Sequence, residues 1–89
     1  MTTEITWADL IADLHRMKGW EADWDGEGAV APYGPALESA IMLAGIYEGK
    51  IAPASFVVVT PAGGIQFEWT GEGAAMEVEI FRTGNLGKT

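Results

Sequence analysis

The amino-acid sequence predicts one small α+β domain with the element order ααβββ, in which two helices pack on one face of a three-stranded antiparallel meander. Three observations predict this fold. The 89 residues suffice for one hydrophobic core but not for two. Apolar residues recur at helical spacing in the first half of the chain and alternate with polar residues in the second half. An apolar content of 48% with four tryptophans indicates a packed core rather than disorder.

The first helix is predicted from about Trp7 to Lys18. Its apolar residues recur every three or four positions and form one stripe, which comprises Trp7, Leu10, Ile11, Leu14 and Met17. Thr6 precedes the stripe and is a suitable N-cap. Asp9 stands three residues later, at the position of the acid in a capping box. The segment therefore has both an apolar face to bury and a start signal.

An acidic loop is predicted after this helix, over residues 21–28, because Gly26 and Gly28 permit backbone angles that other residues resist. Three acids match early ligand positions of an EF-hand-like calcium loop: Asp23, Asp25 and Glu27. The twelfth position of such a loop requires a bidentate glutamate, and here it falls on Gly34. We therefore predict no metal and no cofactor, and keep calcium only as a minor alternative. Trp20 and Trp24 are expected to fold toward the core, while the carboxylates face water or cap the second helix.

The second helix is predicted from about Pro35 to Glu48, because proline fits a first helical turn and Gly49 fits the position just past the end. The helix is apolar nearly all round. The stripe expected to face the core comprises Leu37, Ala40, Ile41, Ala44 and Tyr47. A second stripe on the far side comprises Met42, Leu43 and Ile46. Two interpretations stay open: the second stripe is buried between the first helix and the sheet, or it is a dimer or partner surface.

Three strands are predicted in the second half of the chain. They are Ser55–Thr60, Gly64–Thr70 and Ala75–Arg82. Two short glycine-containing segments separate them, Pro61–Gly64 and Gly71–Gly73. Their length and composition are typical of the turns of β-hairpins. We expect the ordered core to extend over about residues 5–82 of a single domain covering residues 1–89, with a frayed tail over residues 83–89.

Four polar side chains are expected to share the outward face of this sheet, because the second and third strands alternate in phase. They are Gln66, Glu68, Glu77 and Glu79. Like charges placed side by side weaken a sheet, by up to about 1 kcal/mol for a directly opposed pair. Two interpretations stay open here as well: the face binds something, or it is the solvated face that antiparallel sheets commonly have.

The charge balance favours a basic partner. Thirteen acids and five bases give a net charge of −8, and between Gly19 and Phe81 there are ten acids and only one base, Lys50. Such a surface repels nucleic acid and anionic membranes and attracts basic surfaces. The alternative interpretation is that the charge serves solubility alone.

The reactive side chains argue against catalysis. The chain has no cysteine and a single histidine, His15, which flanks the apolar stripe of the first helix and is expected to be a surface residue. No serine stands in a nucleophile-elbow sequence, and no GxxxxGK loop is present to hold phosphate. We therefore expect a protein that is not an enzyme.

No targeting signal is visible either. Residues 1–4 lack the basic and apolar character of a secretory signal, and no apolar run approaches the roughly 20 residues of a membrane span. The sequence thus leads us to expect a cytoplasmic protein.

Two motifs carry a resemblance to other proteins. The stretch from Asp23 to Ala29, Asp-Trp-Asp-Gly-Glu-Gly-Ala, is followed by Pro32 and later by Gly-Ile-Gln-Phe-Glu-Trp at residues 64–69. This layout resembles short, uncharacterised bacterial and mobile-element proteins with a Trp-Asp-Gly-x-Gly-Ala motif, and it extends over about residues 20–82. The resemblance implies a helix followed by strands but no activity. In size and acidity the chain is also similar to phage-encoded anti-CRISPR inhibitors, many of which bind nucleic-acid-handling proteins.

These observations lead to two functional hypotheses. In the first, the protein is a non-enzymatic inhibitor or decoy that docks on a basic groove, such as the nucleic-acid channel of a Cas protein, without contacting nucleic acid or membranes itself. The expected charged contacts are Asp23, Asp25, Glu27, Glu68, Glu77 and Glu79, and the expected aromatic anchors are Trp24 and Tyr33. In the second, it is a self-associating accessory or antitoxin-like bacterial protein. Its homodimer contact would then comprise Met42, Leu43 and Ile46.

Overall fold

The structure, a computed structural model, describes residues 5–71 and 74–88. In this part of the chain, two helices precede a four-stranded antiparallel sheet, and the fold is α+β. The elements are α1 (Trp7–Met17), α2 (Gly34–Tyr47), β1 (Phe56–Val59), β2 (Ile65–Gly71), β3 (Ala74–Ile80) and β4 (Leu86–Lys88). The predicted fold class and element types are confirmed, and the predicted number of strands is wrong.

Helix α1 begins with the predicted capping box. The Thr6 side chain accepts a hydrogen bond from the backbone N–H of Asp9 (3.2 Å), and the Asp9 carboxylate accepts one from the backbone N–H of Thr6 (3.0 Å). Two of the N–H groups that a helix start leaves without partners are thereby satisfied. The buried residues of α1 belong to the predicted stripe: Trp7, Leu10, Leu14 and Met17.

Helix α2 has proline in its first turn, as predicted, and it begins after Tyr33, whose side chain makes no capping hydrogen bond. Gly49 follows the helix with a φ of 82°, in the left-handed region where glycine ends helices most readily. The buried residues of α2 are mostly alanines, namely Ala36, Leu37, Ala40 and Ala44. Such small side chains let a neighbouring backbone approach closely.

The four strands pair in chain order, β1-β2-β3-β4, and every pair is antiparallel. The predicted turn between β1 and β2 is closed by two hydrogen bonds, from the Thr60 N–H to the Gly64 carbonyl and from the Gly63 N–H to the Thr60 carbonyl, both 2.9 Å. Between β2 and β3 the turn was predicted at Gly71–Gly73, of which residues 72 and 73 lie outside the described residues.

The prediction of a frayed tail over residues 83–89 is wrong for residues 86–88, which form β4 and pair with β3. A turn brings the chain back: the Phe81 N–H donates to the Asn85 carbonyl (2.8 Å), and the Gly84 N–H donates to the Phe81 carbonyl (2.7 Å). Gly84 has a φ of 93°, which L side chains rarely adopt, and this lets the chain reverse. Leu86 then lies opposite Ile80.

One hydrophobic core contains residues from both helices and from strands β2 and β3. At its centre the Trp7 ring lies edge-on to Phe67, with ring centroids 5.8 Å apart, and 5.6 Å from Tyr47. The Trp7 indole N–H donates to the Ile51 carbonyl (2.9 Å), so the one polar atom of this ring has a partner. Among the described residues, no helix combines the length and apolarity needed to cross a membrane.

Candidate functional site

The four polar residues predicted to share the outward sheet face do lie together. We call them the acidic face: Gln66, Glu68, Glu77 and Glu79. Glu68 lies directly opposite Glu77, and Gln66 directly opposite Glu79. All four are half-buried, and their strand neighbours Ile65, Phe67 and Ile80 point to the other side, into the core. The pairing register therefore places three carboxylates on one surface. Their role as partner contacts remains a prediction.

Two apolar side chains of β1 extend the acidic face, and sequence reasoning missed them. Phe56 lies opposite Glu68, and Val58 lies opposite Gln66. Both are exposed, and β1 is an edge strand of the sheet. The signal was present in the sequence, because a strand that reads Phe-Val-Val-Val must turn apolar side chains to both faces. The outward surface is thus acidic across its two central strands and apolar along one edge.

The acidic loop uses its aspartates to hold its own backbone. The Asp25 Oδ1 atom accepts hydrogen bonds from the N–H groups of Glu27 (2.8 Å) and Ala29 (3.2 Å), and the Asp23 Oδ1 atom accepts one from Gly28 (2.6 Å). The loop is structured, as predicted. Two alternatives were expected for these acidic residues, to face water or to cap the second helix. Capping is wrong, since no side chain caps the start of α2, and Asp23, Asp25 and Glu27 are all exposed. Within the described residues, no three acidic or histidine side chains are arranged to hold a metal ion.

Trp24 and Trp20 differ in exposure. Their ring centroids lie 4.6 Å apart with the planes 30° from parallel, and the Trp24 indole N–H donates to the Val30 carbonyl (2.9 Å). Trp20 packs against the core, as expected, whereas Trp24 is 38% exposed. The expectation that both rings fold toward the core is therefore wrong for Trp24. Its ring is fixed in place but open to contact.

A cleft of about 320 Å³ lies between the acidic loop and the turn that follows β1. We call it the Trp24 cleft, and its lining includes Trp24, Asp25, Glu27, Val59, Thr60 and Pro61. Sequence reasoning proposed the first three as contacts but gave no sign of the last three, because the loop and the turn are distant along the chain.

Tyr33, the second predicted anchor, is 42% exposed, but part of its ring contacts other residues of the same chain. The guanidinium carbon of Arg82 lies 5.8 Å from the ring centroid, within cation–π distance. The ring also lies against Gly63, where an added methyl group would overlap it. Tyr33 belongs neither to the acidic face nor to the lining of the Trp24 cleft. It does contact the turn that forms part of this lining, because its backbone N–H donates to the Gly63 carbonyl (2.9 Å).

The second apolar stripe of α2 is largely a surface feature. Met42 is 63% exposed and Ile46 is 50% exposed, whereas Leu43 is half-buried against the core. Leu86 of β4, itself 56% exposed, lies across from them. A groove of about 240 Å³, the α2–β4 groove, is lined by Ser39, Met42, Leu43, Ile46, Gly84 and Leu86. None of these lining residues is charged.

Comparison of the chain with known protein families, with curated proteins and with solved structures finds no match in any of the three.

Proposed function

We propose that this protein is a non-enzymatic binding protein whose acidic face docks on a basic surface of another protein and blocks that surface. The observation that carries the proposal is the direct opposition of Glu68 and Glu77, with Glu79 two residues further along β3 on the same face. We infer that both helices cover the other face of the sheet, since their buried residues share one core with Ile65, Phe67 and Ile80. The acidic face then remains open to a partner.

Physical reasons support docking through this surface. Opposed carboxylates repel each other, and this repulsion is relieved when a cationic partner lies over them. Complementary potentials also speed the encounter of the two proteins. The exposed Phe56 and Val58 beside the acids offer apolar area that a partner can bury, and such area supplies affinity that charge alone does not.

The partner we propose is a protein with a basic groove, such as the nucleic-acid channel of a Cas protein in a bacterial cytoplasm. A groove that binds nucleic acid presents lysine and arginine to phosphates, and an acidic sheet face competes for the same side chains. The inhibitor itself then needs no contact with nucleic acid or with a membrane. This fits a chain with a net charge of −8.

Charge reversal tests this proposal with a matched control. The test variant carries three Glu→Lys changes on the acidic face, at Glu68, Glu77 and Glu79. The control carries the same change at three exposed glutamates elsewhere, namely Glu21, Glu38 and Glu48. Both variants alter the net charge equally.

Binding of an oligo-arginine peptide is measured by calorimetry, with thermal unfolding measured for each variant. We expect the test variant to lose binding and the control to keep most of it. Equal losses in the two variants would refute the proposal.

A second candidate function is self-association through the α2–β4 groove. The observation that favours it is the exposure of Met42, Ile46 and Leu86 around a groove without charged side chains. Two copies, each with a net charge of −8, repel each other least where their contact surface carries no carboxylate.

Sedimentation velocity tests the second candidate. We expect a dimer that Ile46→Glu converts to monomer, while the matched change Val30→Glu, at an exposed apolar residue of the loop, leaves the dimer intact. A monomer at all accessible concentrations would exclude this function. High salt also separates the two candidates, because it weakens a complex held by charge but not a dimer held by apolar contact.

A further inference from the structure

We propose that the Trp24 cleft receives one cationic side chain of the basic partner, arginine in preference to lysine. This inference rests on the proposed function, because it assigns a specific contact within the docking of a basic protein. The cleft is a different surface from the acidic face, since no residue belongs to both. The binding of a basic partner would then combine a broad electrostatic contact with one anchored side chain.

The size of the cleft suits the end of such a side chain. Its volume is about 320 Å³, whereas a water molecule in the liquid occupies roughly 30 Å³. The loop contributes Trp24, Asp25 and Glu27 to the lining, and β1 with the turn after it contributes Val59 and Pro61. The apolar residues of the lining can pack along the methylene stem of an arginine, while its guanidinium group lies near the acidic residues.

The aromatic wall is positioned before any ligand arrives. The hydrogen bond from the Trp24 indole N–H to the Val30 carbonyl and the contact with Trp20 hold the ring in one place. One side of the ring faces Trp20, so a ligand in the cleft meets the remaining exposed part of the ring. Tryptophan is the side chain that attracts cations most strongly through its ring face, and a planar guanidinium group can also stack on it.

The carboxylates of the cleft supply the charge. The hydrogen bonds that Asp25 Oδ1 accepts from the Glu27 and Ala29 N–H groups fix this side chain, so it loses little conformational freedom when a ligand binds. Glu27 is exposed and its backbone is held by Asp25. A guanidinium group presents five N–H donors in a fixed plane, whereas an ammonium group presents a compact point charge. Two carboxylates beside a ring therefore favour arginine over lysine.

The test is a ¹⁵N NMR titration of the full chain with N-acetyl-arginine amide, followed at the indole N–H of Trp24 and the backbone N–H of Glu27. We expect saturable shifts at these two groups with a millimolar dissociation constant. N-acetyl-citrulline amide has nearly the same shape without the charge and should produce no comparable shift. N-acetyl-lysine amide should bind more weakly than the arginine amide.

Matched variants sharpen the test. Glu27→Gln should weaken arginine binding by about twofold to fivefold, the size expected for one exposed ion pair, whereas Glu21→Gln in the same stretch should leave it unchanged. Trp24→Phe keeps a ring in the wall and should weaken binding less than Trp24→Leu. Since both Trp24 variants lose the hydrogen bond from the indole N–H to Val30, the Glu27 variant is the decisive one. Equal shifts with citrulline amide, or unchanged affinity in Glu27→Gln, would overturn the proposal.

The outcome is separable from that of the charge-reversal experiment. If the acidic-face variant loses the oligo-arginine peptide while arginine amide leaves Trp24 unshifted, the cleft proposal is wrong and the proposed function stands. If arginine amide binds in the cleft while the acidic-face variant keeps full affinity for the peptide, the acidic face is not the docking surface. The proposal of an arginine site in the Trp24 cleft then stands.

Discussion

The replacement Glu68→Gln tests whether the acidic face lowers the stability of the fold. Glutamine keeps the length and shape of the side chain and removes its charge. Glu68 lies directly opposite Glu77 and shares its face with Glu79, so the change relieves at least one like-charge contact. Glu77 takes part in a further interaction of its own, which makes Glu68 the cleaner position to change. We expect the variant to be more stable than the parent chain.

The register sets the size of the effect. Directly opposed side chains on an antiparallel pair have Cβ atoms about 5 Å apart, which places the two carboxylates at roughly 6 Å. At that separation in water, two like unit charges repel by about 0.7 kcal/mol. Salt at physiological concentration has a screening length of about 8 Å and reduces the repulsion to about 0.3 kcal/mol. For a domain of this size, these energies correspond to a rise in melting temperature of about 1–5 °C.

Urea and thermal unfolding at low and at high salt measure this effect. The stabilisation of Glu68→Gln should shrink as salt is added, whereas Glu48→Gln, at an exposed position just after α2, should change stability little at either salt concentration. A double-mutant cycle with Glu77→Gln isolates the pair. A Glu68→Gln variant that is less stable than the parent chain, or whose gain in stability does not change with salt concentration, would refute the reasoning.

Two further predictions concern the turn and the loop that shape the candidate sites. Gly64→Ala should destabilise the fold by about 2–3 kcal/mol in urea unfolding, because the added methyl group would overlap the Ile80 carbonyl; a loss below about 1 kcal/mol would contradict this. Asp25→Ala should speed amide hydrogen exchange at Glu27 and Ala29 and leave exchange within α1 unchanged; unaltered exchange in the loop would show that the carboxylate does not hold it.

Both helices could be predicted from the sequence because their signals are local. Thr6 and Asp9 lie within one turn of each other, and the apolar stripe of α1 repeats over a few residues. In α2, proline at the start and Gly49 past the end bracket the helix. The predicted ends of both helices lie within one residue of the observed ends. No long-range contact is needed to place these boundaries.

Strand β4 could not be predicted because its formation depends on another strand. It has three residues with glycine at the centre, too few for an alternating pattern. The turn through Gly84 and the pairing of Leu86 with Ile80 hold it in the sheet. The apolar character of Leu86, next to a glycine-containing turn, was the only sequence signal of a returning strand. The α2–β4 groove was missed for the same reason, since two of its six lining residues, Gly84 and Leu86, belong to this strand and the turn before it.

The candidate sites differ in the same way: one follows from a local sequence pattern, and the other depends on contacts between distant parts of the chain. The acidic face follows from alternation within β2 and β3, and a short connection between the strands brings the alternating acids into register. The Trp24 cleft instead requires the loop after α1 to meet the turn after β1, a contact that no local pattern encodes. The hydrogen bonds of Asp25 are local, and the Asp-Gly-Glu-Gly sequence could have indicated that its carboxylate serves the loop backbone.

Binding at each of the three surfaces depends differently on salt concentration, and this difference distinguishes the functional proposals. Opposed carboxylates at Glu68 and Glu77 gain most from a cation placed over them, so binding there must weaken steeply with salt. Arginine in the Trp24 cleft keeps its ring contact when salt screens the carboxylates, so its binding must weaken less. Contact through Met42 and Ile46 buries apolar area without charge and must persist in high salt. The slope of affinity against salt concentration thus identifies which surface a partner occupies, even before that partner has a name.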